Sequence, residues 1–383
     1  MRSHIAILLF IIIANACKDP FSPEPDPSNR ELLIVEGHLN IGGITTLTLS
    51  RSADLQDLEF RRPEANARVQ IEENGVVVAE AGSGENGVCT LLTHNLEISK
   101  RYKVSIRPAG GKIYETDYLE GKVSPDIDSV GFQIEGRGFK IYLNTHDATN
   151  STRFYSWDFF ETWEIQSPYP SFWELKDGKI VERDRSINLS RCWQENSSST
   201  ILLSSTERLS EDRVSEFPLA FVPGNSIRFN HMYSILVKQY GLTREGYQYL
   251  ETMKKNTEEI GTIFDSQPSE LRGNIRCITK PEELVIGWIS AGSVSEKRIF
   301  IKRSARPAGW GYQDTCEPPL LMHADTVLNY LQRGYLIGYR NIWSVSPVPR
   351  PWKLGDTSYT VAPKECVDCR LRGSNIKPSY WPD

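Results

Sequence analysis

The chain has 383 residues, of which 39% are hydrophobic and 24% are charged, and its formal net charge is −5. These proportions are those of a globular protein and exclude wholesale disorder, while the acidic balance and the lack of a strongly basic stretch exclude a typical nucleic-acid-binding surface. The length exceeds what a single hydrophobic core usually supports, so we expect two domains.

The first predicted element is a signal peptide over residues 1–16. Arg2 supplies a positive charge, and residues 5–14 form an unbroken apolar run. A helix needs ~20 residues to cross the hydrocarbon core of a bilayer, so this run fits a signal peptide and not a transmembrane helix. The small residues directly before Cys17 resemble a bacterial lipobox, which predicts cleavage between Ala16 and Cys17 and attachment of lipid to Cys17. Ordinary secretion, with Cys17 as a leftover thiol, is the alternative.

Residues 17–31 are predicted to form a lipidated, proline-rich tether. Four prolines between residues 20 and 27 disfavour helix and favour an extended polyproline conformation. Lys18-Asp19, directly after the acylated cysteine, resembles the short charged signals that send Bacteroidetes lipoproteins to the cell surface. We therefore expect an outer-membrane protein that is anchored by lipid and faces the cell exterior.

Residues 32–125 are predicted to form an immunoglobulin-like β-sandwich. Apolar and polar residues alternate along several short segments, as in half-buried strands, and turn signals such as Asn74-Gly75 separate the segments. Short strands at such regular spacing are typical of a sandwich. The clearest alternating apolar sets are Leu47 and Leu49; Ala67, Val69 and Ile71; and Tyr102, Val104 and Ile106.

Residues 126–383 are predicted to form a larger β-rich domain with one inserted amphipathic helix. The helix is expected near residues 243–257, because Thr243 can cap its first turn and apolar residues recur on one face. The segment 325–332 is compatible with a second, short helix. The residues proposed to share the apolar face of the first helix are Tyr247, Leu250 and Met253, and the clearest strand alternation is that of Tyr155, Trp157 and Phe159.

The six cysteines after Cys17 are candidates for disulfides, because an even number in an exported chain is compatible with pairing. Cys366 and Cys369 have C-x-x-C spacing, which also suits a redox pair or half of a zinc site, but no second pair of zinc ligands follows. We therefore favour structural bridges, with each of the two bonded to a distant cysteine or to the other. The candidates are Cys89, Cys192, Cys277, Cys316, Cys366 and Cys369.

Motifs for catalysis and metal binding are missing from the sequence. None of the six histidines is paired at metal-ligand spacing, and there is no H-E-x-x-H, no G-x-S-x-G and no complete P-loop. We therefore predict a non-enzymatic protein with no catalytic residues, no metal and no cofactor. A hydrolase is the alternative, because the two carboxylates of a glycosidase can lie far apart in the chain.

One loop is rich in aromatic residues. Tyr169, Phe172 and Trp173 lie in a stretch that Pro168 and Pro170 interrupt, so their rings are candidates for contact with a sugar or a protein partner. The alternative is that these rings fold back on the sandwich as a lid.

Short segments along nearly the whole mature chain have a characteristic order and spacing. They include Leu33, Val35, Glu36 and Gly37; Tyr247 and Tyr249; Gly273-Asn274-Ile275; Gly287-Trp288; and Cys366, Cys369 and Arg370. In these segments the chain resembles the DUF4249 family of Bacteroidetes lipoproteins. The resemblance implies an outer-membrane lipoprotein, often encoded beside a TonB-dependent transporter. We therefore expect an accessory or substrate-capture partner of such a transporter; a free-standing surface module that binds glycan or peptide is the alternative.

Overall fold

The computed structural model of the protein describes residues 31–53, 61–258, 271–342 and 357–382. Within these ranges the chain is mainly β, as the sequence predicts, and its strands form three packed units. The predicted signal peptide, and the predicted tether up to its last residue, lie outside the described residues. No described helix is both long enough and apolar enough to cross a membrane.

The first unit, which we name the first sandwich, contains the strands β1 to β9. The alternating residues that the sequence assigns to its core, such as Val69, Ile71, Tyr102 and Val104, are buried there. This confirms the predicted sandwich, because period-two alternation places every second side chain on the inner face. The strands are β1 (Leu33–Asn40), β2 (Ile44–Ser52), β3 (Arg61–Pro63), β4 (Arg68–Glu73), β5 (Val76–Gly82), β6 (Val88–Leu92), β7 (Arg101–Arg107), β8 (Tyr114–Thr116) and β9 (Leu119–Lys122).

Three later strands return to complete the first sandwich. The first of them pairs with β8, and the other two run parallel to β1. Gly287 permits this approach, because a Cβ there would lie 2.1 Å from the Val35 carbonyl oxygen. The predicted boundary at residue 125 thus lies just after β9, but it omits the return of residues 275–292. The strands are β19 (Ile275–Cys277), β20 (Val285–Gly287) and β21 (Ser290–Gly292).

The middle unit shares one core between two sheets. A three-stranded sheet has the order β10-β11-β17, and a five-stranded sheet has the order β15-β12-β18-β22 with β16 also paired to β12. Tyr155, Trp157 and Phe159 of β12 lie in this core, as their alternation predicts. The strands are β10 (Ile127–Glu135), β11 (Gly138–His146), β12 (Phe154–Gln166), β15 (Arg191–Ser197), β16 (Leu202–Ser205), β17 (Arg213–Pro223), β18 (Met232–Gly241) and β22 (Val294–Lys302).

The third unit, which we name the small sheet, combines a hairpin from the middle of the chain with strands near its end. Its order is β14-β13-β24-β25-β23, and the hairpin turns at Asp177 and Gly178, both with positive φ. One helix packs on it through Val327. The strands are β13 (Trp173–Lys176), β14 (Lys179–Glu182), β23 (Leu320–His323), β24 (Tyr335–Ile342) and β25 (Thr357–Pro363).

Two α-helices lie in the described parts of the chain, where the fold prediction named one inserted helix. Helix α1 (Arg244–Glu258) begins after Thr243, whose hydroxyl accepts a hydrogen bond from the Gly246 amide at 3.1 Å. Helix α2 (Ala324–Gln332) coincides with the short second segment. The inner face of α1 carries Tyr249, which is buried, whereas Tyr247 packs on one side of the helix against Phe154.

Two disulfides bind the end of the chain to earlier segments. Cys192 is bonded to Cys369, and Cys316 is bonded to Cys366, so both cysteines of the C-x-x-C segment have distant partners. Cys89 and Cys277 are also disulfide candidates from the sequence, and there the structure corrects the prediction, because both are free thiols. Each packs in the apolar core of the first sandwich, where cysteine behaves as a small hydrophobic residue. Burial also raises the pKa of the Cys89 thiol to about 11.

Candidate functional site

A cleft of about 590 Å³ lies between the first sandwich and the middle unit, and we name it the central cleft. Its floor on the middle unit follows from strand alternation. Because neighbouring residues of β12 point to opposite faces, the positions that alternate with the core residues Trp157 and Phe159 face outward. Ser156, Asp158 and Phe160 therefore line the cleft.

The opposite wall is the outer face of the first sandwich. Leu33, Val35 and Leu39 of β1 point into the sandwich core, so the alternate side chains of the same strand face the middle unit. The neighbouring strand β2 contributes in the same way. The residues that line this wall include Ile34, Glu36, His38, Asn40, Ile44, Thr46 and Thr48.

Helix α1 forms the third side of the cleft. The ring of Tyr249 on this helix lies 5.5 Å from the ring of Trp288, measured between centroids. Gly246 allows this close packing, because a Cβ there would lie 3.0 Å from the indole nitrogen of Trp288. One turn further on, Leu250 and Met253 face the cleft and extend its apolar surface.

His38 and Tyr240 join the two units inside the cleft. Their rings are 4.9 Å apart, and the His38 Nε2 atom lies 3.1 Å from the Gly292 carbonyl oxygen. Burial lowers the pKa of His38 to about 4, although the contact with that carbonyl offsets part of the effect. The imidazole at this junction is therefore neutral near pH 7.

This burial predicts a pH dependence of stability. The unfolded chain takes up a proton on His38 near pH 6.5, whereas the folded chain does so only near pH 4. We therefore expect the His38 contribution to the free energy of unfolding to be complete above pH 6.5 and to be lost as the pH falls toward 4. Urea unfolding at pH 7 and pH 5 measures the loss.

The matched test uses two histidine variants. In His38→Gln the loss of stability between pH 7 and pH 5 should be smaller than in the unsubstituted chain, because the titrating group is gone. His94→Gln, at an exposed position, should leave the loss unchanged. An equal loss in all three proteins would contradict a buried neutral His38.

Asp158 supplies the carboxylate of the cleft floor. It is exposed toward the cleft, and partial desolvation by the facing walls raises its pKa. A hydrogen bond from the Tyr240 hydroxyl and the charge of Lys238 offset part of that shift. Burial and the charge of Asp158 in turn raise the pKa of Tyr240, so its phenol remains a proton donor.

Lys238 is the cation nearest to this carboxylate along the paired strands, since it stands opposite Asp158 in the β12–β18 register. Its ammonium is already engaged, because it lies 2.8 Å from a carboxylate oxygen of Glu296 and 5.6 Å above the ring of Phe160. Hydroxyls and one amide complete the polar lining, including Asn40, Thr46, Thr48, Ser156, Ser198, Ser199 and Thr200.

The chemistry of this lining suits reversible binding. Apolar side chains make up much of the lining, and polar groups lie on both facing walls, a combination that suits small ligands. Among the residues that the structure describes, no group of three or more His, Cys, Asp or Glu is arranged to hold a metal ion. The arrangement can desolvate a ligand and offer it one carboxylate.

The aromatic loop that the sequence singles out belongs to the small sheet and does not line the central cleft. Trp173 is half-buried, packs on the Tyr359 ring and lies under the Arg340 guanidinium at 5.3 Å. Phe172 is 42% exposed and its ring lies 5.1 Å from that of Tyr339.

The remaining predicted site residues are Tyr169, Ala16 and Cys17. Tyr169 is half-buried and lines a pocket of about 60 Å³ on the small sheet. Ala16 and Cys17 are outside the described residues.

Sequence reasoning did not identify the central cleft. The available signal is the kind of residue at the outward positions of the alternating strands, where a solvated face should be polar. Phe160, Ile34, Ile44 and Tyr240 are large and apolar or aromatic at such positions, which indicates a second contact surface.

Comparisons with known proteins place most of the chain in one family model. The model "Domain of unknown function (DUF4249)" matches residues 18–298, a range that contains every residue lining the central cleft. Among solved structures, the chain is similar to a two fibronectin type-III domain segment from chicken tenascin, with 12% identity, 55% of this chain and 90% of that chain covered, and a TM-score of 0.17. Among curated proteins there is no match.

Proposed function

The chain belongs to the DUF4249 family, and we propose that it is a lipid-anchored protein that captures a ligand for a TonB-dependent transporter of the outer membrane. The central cleft carries this proposal. Its volume of about 590 Å³ falls in the range of sites for small molecules, and its walls come from the outer faces of the first sandwich and the middle unit. A protein that only spaced other components apart would have no need of such a site.

The proposed location rests on the N-terminal sequence. Cys17 would carry the lipid, and the proline-rich residues 18–31 would hold the folded body away from the membrane surface. Lys18-Asp19 supports export to the outer face of the outer membrane. Acyl chains give stable anchoring when more than one is attached, as in bacterial lipoproteins.

The anchor is tested with Cys17→Ser. We expect the unsubstituted protein in the membrane fraction and Cys17→Ser in the soluble fraction, because the variant has no thiol to acylate. Ser22→Ala, in the same tether, is the control and should stay with the membrane. Mass spectrometry of the mature N-terminal peptide should show acyl groups on Cys17; an unmodified peptide would contradict the anchor.

The partnership is tested by purification from native membranes in mild detergent. We expect a TonB-dependent transporter to co-purify with the tagged unsubstituted chain and to be lost with Cys17→Ser. If no transporter co-purifies with a chain that is correctly lipidated, the capture role for a transporter is wrong.

A free-standing glycan- or peptide-binding module is the second candidate. The observation that favours it is the pair of exposed rings on the small sheet, Phe172 and Tyr339. Because Trp173 is half-buried under Arg340, Phe172→Ala is the cleaner probe of this surface. Binding to glycan or peptide that needs no transporter and is lost in Phe172→Ala would favour this candidate.

A further inference from the structure

We propose that the central cleft selects a ligand that carries an alkylammonium group, with the cation bound by Asp158 and the alkyl chain against Leu250 and Met253. This inference rests on the proposed capture function and names the chemistry of the captured molecule.

The balance of charge in the cleft is the first argument. The Glu36 carboxylate is held by Arg61 through two contacts of 2.7 Å, and the Lys238 ammonium is held by Glu296 at 2.8 Å. His38 is neutral near pH 7. Within the described ranges, Asp158 forms no salt bridge, and only the Tyr240 hydroxyl and the charge of Lys238, which is already bonded to Glu296, act on its carboxylate. Its negative charge is therefore the least neutralised in the cleft and is available to a cationic ligand.

The desolvation of Asp158 is the second argument. Asp158 is exposed to solvent in the empty cleft, although the surrounding walls already raise its pKa, and a bound molecule would displace more of its water. A carboxylate that loses water without gaining a cation or several hydrogen-bond donors costs free energy. A ligand with an ammonium group supplies both the opposite charge and three N–H donors, whereas an anionic ligand would add repulsion.

The composition of the apolar wall favours an alkyl ligand over a sugar. Sugars are usually held on an open aromatic face, but the rings in this cleft are engaged with other side chains. Tyr240 faces His38, Trp288 faces Tyr249, and Lys238 lies above Phe160. The remaining apolar lining is mostly aliphatic, including Ile34, Ile44, Ile201, Leu202, Leu250 and Met253.

An alkylammonium group has two common sources, a free amine and the lysine side chain of a peptide. Both present the same charge at the end of a short aliphatic chain. The cleft is large enough for either, since its volume of about 590 Å³ exceeds what a single lysine side chain fills. The probes must therefore include both.

The test measures binding to the purified full chain by titration calorimetry. Hexylammonium is compared with hexanol and hexanoate, and acetyl-Leu-Lys-Leu-amide is compared with the same peptide carrying norleucine in place of lysine. We expect each ammonium probe to bind about tenfold more tightly than its neutral counterpart, which corresponds to one charged hydrogen bond. Tighter binding of the peptide than of the amine would assign the source to peptide, and the reverse to a free amine.

Variants at one carboxylate then test the assigned residue. Asp158→Asn should weaken hexylammonium binding about tenfold and leave hexanol binding unchanged. Asp158→Glu, which keeps the charge, should keep the preference for the ammonium. Asp177→Asn is the control, because Asp177 lies in the exposed β13–β14 turn at a positive φ that asparagine also tolerates.

The outcomes separate this inference from the proposed function. Any of three results would overturn the ligand class. The first is that hexanol or hexanoate binds as tightly as hexylammonium, and the second is that neither ammonium probe binds. The third is that folded Asp158→Asn binds hexylammonium with unchanged affinity. None of these results affects membrane anchoring or co-purification of a transporter. Loss of those two properties in the unsubstituted chain would instead overturn the proposed function while the ammonium preference of the cleft still stood.

Discussion

Replacing Glu161 with leucine is expected to lower the free energy of unfolding by about 3–5 kcal/mol, the usual cost of breaking a buried ion pair from one side. Glu161 is 1% exposed and accepts hydrogen bonds from Arg228 at 2.8 Å, Tyr233 at 2.7 Å and Asn196 at 3.0 Å. Burial and the neighbouring Glu161 raise the pKa of Tyr233 well above its ordinary value, so its hydroxyl is a donor in need of this acceptor. Urea unfolding measures the change.

The control for this prediction is the same substitution at an exposed ion pair. Glu182 lies 2.6 Å from Arg185, and both side chains are more than half exposed. Glu182→Leu should change the free energy of unfolding by less than about 1 kcal/mol. If Glu161→Leu cost no more than this control, the Arg228 guanidinium and the Tyr233 hydroxyl would have found other partners, and the network would not stabilise the middle unit.

The parts of the fold that the sequence predicts are those that depend on local signals, namely the alternation of apolar and polar residues in strands and the capping of a helix. Val69 and Ile71, like Tyr102 and Val104, lie on the inner face that period two assigns to them. The start of α1 is similarly local, since Thr243 caps the helix with its own side chain. Such signals need only the residue and its near neighbours.

The return of residues 275–292 to the first sandwich had no local signal. These three strands are short, and they pair with partners more than a hundred residues earlier in the chain. Parallel pairing with β1 also requires a long crossover, and here it contains the rest of the first sandwich up to β9 and every strand of the middle unit except β22. Local composition could therefore indicate where the middle unit starts, but it could not indicate that residues 275–292 pair with the first sandwich.

The central cleft could not be predicted from the sequence for the same physical reason. Tyr169, Phe172 and Trp173 form a local aromatic cluster in the sequence, yet they pack on the small sheet. Asp158 and His38 are 120 residues apart and line the same cleft only because two sheets face each other. The odd placement of Phe160 on an outward strand position was visible in the sequence, but its partner surface was not.

Removal of the Cys192–Cys369 disulfide is expected to lower the free energy of unfolding by about 3–5 kcal/mol, because the bond closes a loop of 177 residues and so restricts the unfolded chain strongly. Both cysteines are fully buried and pack with Ile165, so alanine at each position also loses apolar contacts. Denaturant unfolding of the double variant Cys192→Ala/Cys369→Ala under oxidising conditions measures the effect.

The second disulfide provides the comparison, because it closes a shorter loop and its Cys316 is only half-buried. Cys316 and Cys366 are 50 residues apart, so the entropic part of their stabilisation should be smaller by about 1 kcal/mol. We therefore expect Cys316→Ala/Cys366→Ala to destabilise less than Cys192→Ala/Cys369→Ala. The reverse order would mean that restriction of the unfolded chain is not the main effect, and that local packing around the small sheet decides how strongly each bond stabilises the fold.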